Sequence, residues 1–361
     1  MLARCNSCLF LLFLGITAFA QEPPMPNRLM LDKKKSFYNF KGNKSQEMLK
    51  AEQLEQIKGR IASKEEENKE SLEVLKNKFF GEFIDPKEEV GDTLTLRGAS
   101  KYDSRIETLR LNPDKPEEKK IIANALAVGI VIEKDKIHAI SPTDFQLDVS
   151  ITLGKRYKLC PGEAFASQAT IGIGTAFIVG EKQMVTAGHV FAQSLDNYVI
   201  VFGFELYNKT GTYQTIISKD QIFYPKKILE RNQESDLTIF STDRPLNRTV
   251  LKIGNSTDVK INTPVYMIGY PSGIPQKVAL NASVHENNDK QFFYTSLDAF
   301  QGNSGSPVFN METHELIGVL VSGEVDYVWR GSCNTTTLCR IPYCKGEKVM
   351  RISNLNTDLI K

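Results

Sequence analysis

Gly302-Asn303-Ser304-Gly305-Ser306-Pro307 decides how this chain is read. A serine flanked by glycines on a tight turn can present its hydroxyl and two backbone N–H groups to one point, and acyl transfer needs that arrangement. Such a serine also requires a base and a group that orients the base. Upstream stand Val185-Thr186-Ala187-Gly188-His189 and Ser235-Asp236-Leu237-Thr238-Ile239, so the chain order is His, Asp, Ser.

The order discriminates, because this constellation recurs on unrelated folds in different orders. The α/β-hydrolase order needs a histidine well after the serine. Only His314 follows Ser304, in Met311-Glu312-Thr313-His314-Glu315, a stretch that reads as a hairpin turn. The elbow Gly-x-Ser-x-Gly is also absent, since Ser306 stands where its second glycine would be. The subtilisin order begins with Asp and fails as well.

On these residues the chain resembles the chymotrypsin-like serine protease superfamily, in particular the bacterial branch that includes the glutamyl endopeptidases, where Thr-Ala-Gly-His and Gly-Asn-Ser-Gly-Ser-Pro are the usual forms. The resemblance covers about residues 160–325. His189 and Asp236 are 47 residues apart (236 − 189) and Asp236 and Ser304 are 68 apart (304 − 236), room for the strands between two small barrels. The resemblance implies a mainly β fold of two antiparallel six-stranded β-barrels, with His189 and Asp236 on the first and Ser304 on the second. Ser304 is then the nucleophile, His189 its general base and Asp236 the group that fixes the imidazole. The backbone N–H groups of Gly302 and Ser304 form the oxyanion hole, and a side chain at Gly302 would obstruct that turn.

The same resemblance extends to substrate binding. Val321, Ser322 and Gly323 form the wall that pairs with a substrate backbone as an added strand. Asp298, six residues before Ser304, matches the pocket-floor aspartate of trypsin-like enzymes, which implies a preference for Lys or Arg. Glutamyl endopeptidases often carry an aspartate at that offset too, but they hold glutamate with a histidine on the following strand, where this chain has Leu320. Two departures stand out. Asn303 replaces the aspartate with which pancreatic enzymes pair a newly cut N-terminus, so that ion pair cannot form. Val190 replaces the cysteine that often follows the catalytic histidine. The mechanism requires no cofactor and no metal.

Composition sets the compartment and excludes some partners. Residues 1–20 carry Arg4, an apolar core from Leu9 to Phe19 and Ala18-Phe19-Ala20, which reads as a cleavable secretory signal. No later apolar run approaches the roughly 20 residues of a membrane span, and the protein is expected to be secreted or periplasmic. Six cysteines become four once Cys5 and Cys8 leave with the signal, so Cys160, Cys333, Cys339 and Cys344 are expected in two disulfides, with three connectivities open. The formal charge of +2 gives no support to nucleic-acid binding. Protein or peptide substrates are the expected partners, and the sequence leaves the oligomeric state open.

Residues 21–120 are dense in Lys and Glu, with thin apolar stripes after Lys44-Ser45-Gln46-Glu47 and after Lys64–Glu73, and read as a charged, partly helical extension or pro-region. Asn112-Pro113-Asp114-Lys115-Pro116 reads as an irregular linker. From 121 to 361 short β-rich runs follow, at Val128–Ile132, Phe145–Ile151, Thr175–Val179, Tyr198–Phe204, Leu237–Phe240, Val265–Ile268, Phe292–Thr295 and Leu316–Val321. The expected protein is a secreted serine endopeptidase with a Cys-rich tail. The alternatives are a catalytically silent binding protein on the same fold and a chaperone-like protease, for whose peptide-binding module the 36 residues after Val325 (361 − 325) are too few.

Overall fold

A computed structural model of the protein describes residues 103–208, 211–337 and 345–360. The signal, the charged helices expected before Asp103, Cys339 and Cys344 lie outside these residues.

The strands follow from Val- and Ile-rich runs whose branched side chains suit a pleated, buried surface. In chain order the elements are β1 (Arg105–Glu107), α1 (Pro116–Ala125), β2 (Val128–Glu133), β3 (Ile137–Ala139), β4 (Asp144–Leu147), α2 (Leu153–Tyr157), β5 (Gly172–Ile178), β6 (Gln183–Ala187), β7 (Tyr198–Val201), β8 (Ile216–Ser218), β9 (Ile222–Phe223), β10 (Pro225–Asn232) and β11 (Leu237–Thr242). Then come β12 (Pro264–Gly269), β13 (Lys277–Glu286), β14 (Phe292–Thr295), β15 (Pro307–Asn310), β16 (Leu316–Ser322), β17 (Tyr327–Trp329), β18 (Asn334–Thr336) and β19 (Glu347–Arg351).

Two antiparallel seven-stranded sheets carry the fold, in line with the double-barrel expectation. The first runs β10-β11-β6-β5-β2-β7-β9 and curls into a half-barrel whose edge strands β9 and β10 are consecutive in the chain, with only Tyr224 between them. The second runs β1-β13-β12-β15-β16-β19-β14, and β13 also pairs with β14, which closes a six-stranded barrel with β1 attached outside the ring. Its interior and that of the half-barrel are filled by fully buried side chains such as Phe177, Phe240, Tyr266, Phe293 and Phe309. A hairpin, β17–β18, leaves the closed barrel and is tied to the segment after α2 by the disulfide Cys160–Cys333. Among the described residues no helix is long and apolar enough to cross a membrane.

The folded body takes in residues before Ile121. The Asn112–Pro116 stretch is not a plain linker: Pro116 opens α1 at its first turn, where a missing N–H costs nothing, with Glu117 and Glu118 on the positive end of the helix. Glu117 Oε2 lies 2.6 Å from His314 Nε2, and His314 Nδ1 lies 3.2 Å from the Tyr266 hydroxyl, so the histidine of the β15–β16 turn is buried and anchors the helix.

β1 is held by charge as well as by its ladder. Lys277 Nζ, fully buried, lies 2.9 Å from Glu107 Oε2 and donates to Gln168 Oε1 and Pro275 O at 2.9 and 2.7 Å, while Gln168 Nε2 donates to Glu107 Oε1 at 2.8 Å. Burial pushes the Lys277 ammonium below the usual lysine range and Glu107 opposes that shift. Glu107→Ala strands the ammonium, and the expected loss in denaturant unfolding is ~3–5 kcal/mol. Glu107→Leu combined with Lys277→Met recovers most of it, because no buried charge is left uncompensated.

Candidate active site

The ladder between β6 and β11 sets Ala187 opposite Leu237, so the residues just beyond, Gly188-His189 and Asp236, meet where the two strands diverge. Asp236 adopts a left-handed backbone (φ 53°), a region that Asp enters more readily than most side chains. It grips the histidine loop three times. Its carbonyl accepts the Gly188 N–H at 2.7 Å, Oδ1 accepts the His189 N–H at 3.0 Å, and Oδ2 lies 2.6 Å from His189 Nδ1. A Cβ on residue 188 would come within 2.9 Å of Oδ1, which explains the glycine before the histidine. A carboxylate facing Nδ1 fixes the neutral tautomer with its proton there, and the lone pair then sits on Nε2. Nε2 is buried and has no hydrogen-bond partner among the described residues, Ser304 Oγ included.

Ser304 lies on the turn between β14 and β15. Gly302 and Gly305 both take positive φ (92° and 87°), which only glycine adopts without strain. A Cβ on Gly302 would meet Tyr270 O at 2.6 Å, and one on Gly305 would collide with Thr175 O. The turn's N–H groups divide by role. Asn303 donates to Phe300 O, Gly305 to Leu320 O and Ser306 to Asn303 O, whereas those of Gly302 and Ser304 meet no acceptor among the described residues. The Gln301 carbonyl accepts from the Ser272 N–H, and in a planar trans peptide this directs the Gly302 N–H to the opposite side. Asn303 is buried, its amide oxygen accepting from Ser306 Oγ at 3.3 Å; a neutral amide there needs no counter-cation.

Thr175 joins this turn to the half-barrel. β5 pairs with β6 only from Phe177 onward, and the gap in the ladder at Thr175 is filled by the serine turn. The Thr175 N–H donates to Ser304 O (2.9 Å), its Oγ1 donates to Gly302 O (2.9 Å) and accepts from the Tyr270 N–H (3.2 Å), and its carbonyl accepts from Thr186 Oγ1 (2.7 Å).

Of the residues expected to bind substrate, Val321, Ser322 and Gly323 continue β16 past its last β15 pair, Pro307↔Val319, beside the serine turn. Ser322 is exposed and Gly323 faces Glu347, whose carboxylate occupies the space of a Cβ. Leu320 is buried. Asp298 is only partly exposed, and its Oδ2 accepts from the Ser104 N–H and Oγ at 2.6 and 2.7 Å. Burial, with Asp103 close by, raises its carboxyl to about 6. Arg105 pairs with Asp103 at 2.7 Å and lies over the Phe300 ring at 3.8 Å.

His138 is exposed on β3, and His285 lies on β13 with its ring 6.4 Å from that of Tyr294. Sequence reading overlooked Thr175, Ser272 and Ser104. A signal existed for the first: two glycines, Gly172 and Gly174, inside one strand mark close approach of other groups, and Cβ atoms there would strike Ile130 and Val190. Among the described residues no group of acidic, His and Cys side chains is placed to hold a metal.

A half-barrel and a closed barrel meeting at an imidazole–carboxylate pair and a glycine-bounded serine turn define a chymotrypsin-like architecture. Residues 174–319 match the family model of the trypsin-like peptidase domain. Over 146 residues the chain is 25% identical to the probable periplasmic serine endoprotease DegP-like of Hahella chejuensis (strain KCTC 2396), a match that covers 39% of this chain and 30% of that protein. Among solved structures, the active form of the Rv3671c protease from M. tuberculosis is 15% identical over 67% of this chain and 83% of its own, with a TM-score of 0.39. The HtrA-type protease AlgW with tripeptide is 16% identical over 66% of this chain and 60% of its own, with a TM-score of 0.39. These matches support a chymotrypsin-like serine protease domain over residues 174–319.

Thr175→Val keeps the shape of the side chain but leaves the Tyr270 N–H without its acceptor and Gly302 O without its donor. The expected loss of stability is ~1–3 kcal/mol in chemical denaturation, and a loss below ~0.5 kcal/mol would contradict the bridging role.

Proposed function

We propose that the protein is an exported serine endopeptidase that works through Ser304, His189 and Asp236. The observation that carries this reading is the 2.6 Å contact of Asp236 with His189 Nδ1 next to a serine turn whose Gly302 and Ser304 N–H groups are unclaimed. Ser304 Oγ attacks the carbonyl carbon of a peptide bond while its proton passes to His189 Nε2. The carbonyl oxygen gains the negative charge and is held by the Gly302 and Ser304 N–H groups. Collapse breaks the C–N bond, the amine leaves with the proton from Nε2, and an acyl-enzyme remains. Water then attacks the ester with the same base, releasing the acid and restoring Ser304. Substrate binding must bring Oγ and Nε2 into contact, a tightening common at such sites.

The edge from Val321 to Gly323 supports binding of an extended peptide. Asp298 supports a preference for Lys or Arg before the cleaved bond, since its Oδ2 is engaged by Ser104 but the side chain stays partly exposed. The motif forms resemble those of the glutamyl endopeptidases, but Leu320 gives no cation for a glutamate. Export is supported by the signal-like start, by the Cys160–Cys333 disulfide and by the periplasmic DegP-like relative. The charged region 21–120 is read as a pro-segment or helical extension.

Peptides varied before the scissile bond test the reading. Ser304→Ala or His189→Ala is expected to abolish turnover, and Asp236→Asn to lower kcat roughly 10⁴-fold, as in other enzymes of this mechanism. Retained peptide binding without turnover in the unmutated protein would support the silent binder instead.

Asp298 makes the preference pH-dependent. A carboxyl raised to about 6 is neutral below that pH and charged above it. The ratio of kcat/KM for an Arg substrate over a Phe substrate therefore rises as pH increases through about 6. Asp298→Asn is expected to flatten that rise. A ratio independent of pH in the unmutated protein would count against Asp298 as the pocket floor.

A further inference from the structure

The N–H of Gly302 can serve an oxyanion only while the Gln301–Gly302 peptide keeps its orientation, and glycine at 302 offers little resistance to rotation. Something outside the turn must hold it. Asn303 does not: its N–H is spent on Phe300 O, and its neutral side chain forms no ion pair.

Both backbone polar groups of Gln301 are instead taken from outside the turn. Asp326 Oδ2 accepts the Gln301 N–H at 2.9 Å. The Gln301 carbonyl accepts from the Ser272 N–H, and Ser272 Oγ lies 2.7 Å from the hydroxyl of Tyr327, the residue next to Asp326. Asp326 and Tyr327 thus reach the two sides of one residue, directly and through Ser272. Their own position is well determined. The Tyr327 ring stacks on Tyr157 at 4.9 Å and leans on Phe300 at 5.6 Å, and the Asp326 carbonyl accepts the Thr337 N–H at 2.8 Å. The hairpin that carries them is strapped to the segment after α2 by the Cys160–Cys333 disulfide, by Asn334 N–H to Lys158 O (2.8 Å), and by Asn334 Nδ2 to Tyr157 O (2.6 Å).

We propose that Asp326 is a positioning residue for catalysis: it holds the Phe300–Gln301 peptide while Ser272, backed by Tyr327, holds the Gln301 carbonyl, and with both flanks of Gln301 fixed the Gly302 N–H stays aimed into the oxyanion hole. The role rests on the endopeptidase reading and deepens it. The clamp acts on charge that develops in the transition state, so its loss lowers kcat and leaves KM nearly unchanged.

The test compares the full-length unmutated protein with Asp326→Ala and Asp326→Asn, measuring kcat and KM on the preferred peptide substrate, thermal melting, and hydrogen–deuterium exchange of the peptide spanning 298–304. Asp326→Ala is expected to lower kcat ~10–100-fold, short of the ~10²–10³ for deleting an oxyanion donor outright, with faster exchange in the 298–304 peptide. Asp326→Asn keeps an acceptor oxygen and is expected to restore most of kcat and of the protection. The proposal is overturned if Asp326→Ala keeps kcat within twofold, if its loss appears in KM, or if Asp326→Asn folds but is as impaired as Asp326→Ala. Should Asp326→Ala melt far below the others, Asp326→Leu, which also lacks an acceptor, takes its place under the same criteria. An unmutated protein without turnover removes the endopeptidase reading and this role with it, whereas normal turnover unaffected at Asp326 removes only this role.

Discussion

The serine turn of one barrel is completed by a strand of the other, and Thr175 is where they join. Its N–H, hydroxyl and carbonyl are all engaged, by Ser304 O, by Gly302 O with the Tyr270 N–H, and by Thr186 Oγ1. Thr186 stands three residues before His189, so one short chain of hydrogen bonds links the backbone of the serine to the strand that delivers the histidine. Gly305 is pressed against the same strands, with the Ala187 N–H only 2.8 Å from where a Cβ would be. Because this joint is fully buried, its bonds are not exchanged with water, and each unmade bond would carry the full cost of desolvation. The two halves of the site are thereby fixed to each other by backbone, before any side chain of the candidate triad is considered.

Around that joint, charge is placed where backbone alone cannot give direction. Asp236 turns through a left-handed conformation and spends both its carboxylate oxygens and its carbonyl on Gly188 and His189. β1 reaches the far side of the serine loop: Ser104 holds Asp298, Arg105 covers Phe300, and Glu107 with Lys277 locks the strand to β13. Ser104 and Arg105 thus brace the loop that carries Asp298 and Phe300. The hairpin beyond β16 closes the opposite flank through Asp326 and Tyr327.

The motifs around His189, Asp236 and Ser304 were legible because each combines a reactive side chain with glycines or small residues that a specific turn demands, and their order ruled out rival folds. Apolar strands such as β2, β12, β14 and β16 were legible for the same reason that they are buried. β10 was not: Pro225–Asn232 is an edge strand with mostly polar, solvent-facing residues, which protects an edge but hides the pattern. β13 and β19 were obscured by Lys277, Glu347 and Arg351, buried charges that read as surface residues until their partners are seen. Pro116 falls in a stretch whose composition reads as an irregular linker, whereas a proline can equally begin a helix. Thr175, Ser104 and Asp326 reach the serine loop from 127, 194 and 25 residues away, distances over which a single sequence carries no local signal.

The central claim is that Ser304 is activated by its surroundings. Labelling the full-length protein with a fluorophosphonate and locating the adduct by peptide mass spectrometry tests it most directly. The account predicts one adduct, on Ser304, lost in His189→Ala although the serine is still present. An unlabelled protein, an adduct on Ser272 or Ser306, or labelling of Ser304 that survives His189→Ala would contradict it.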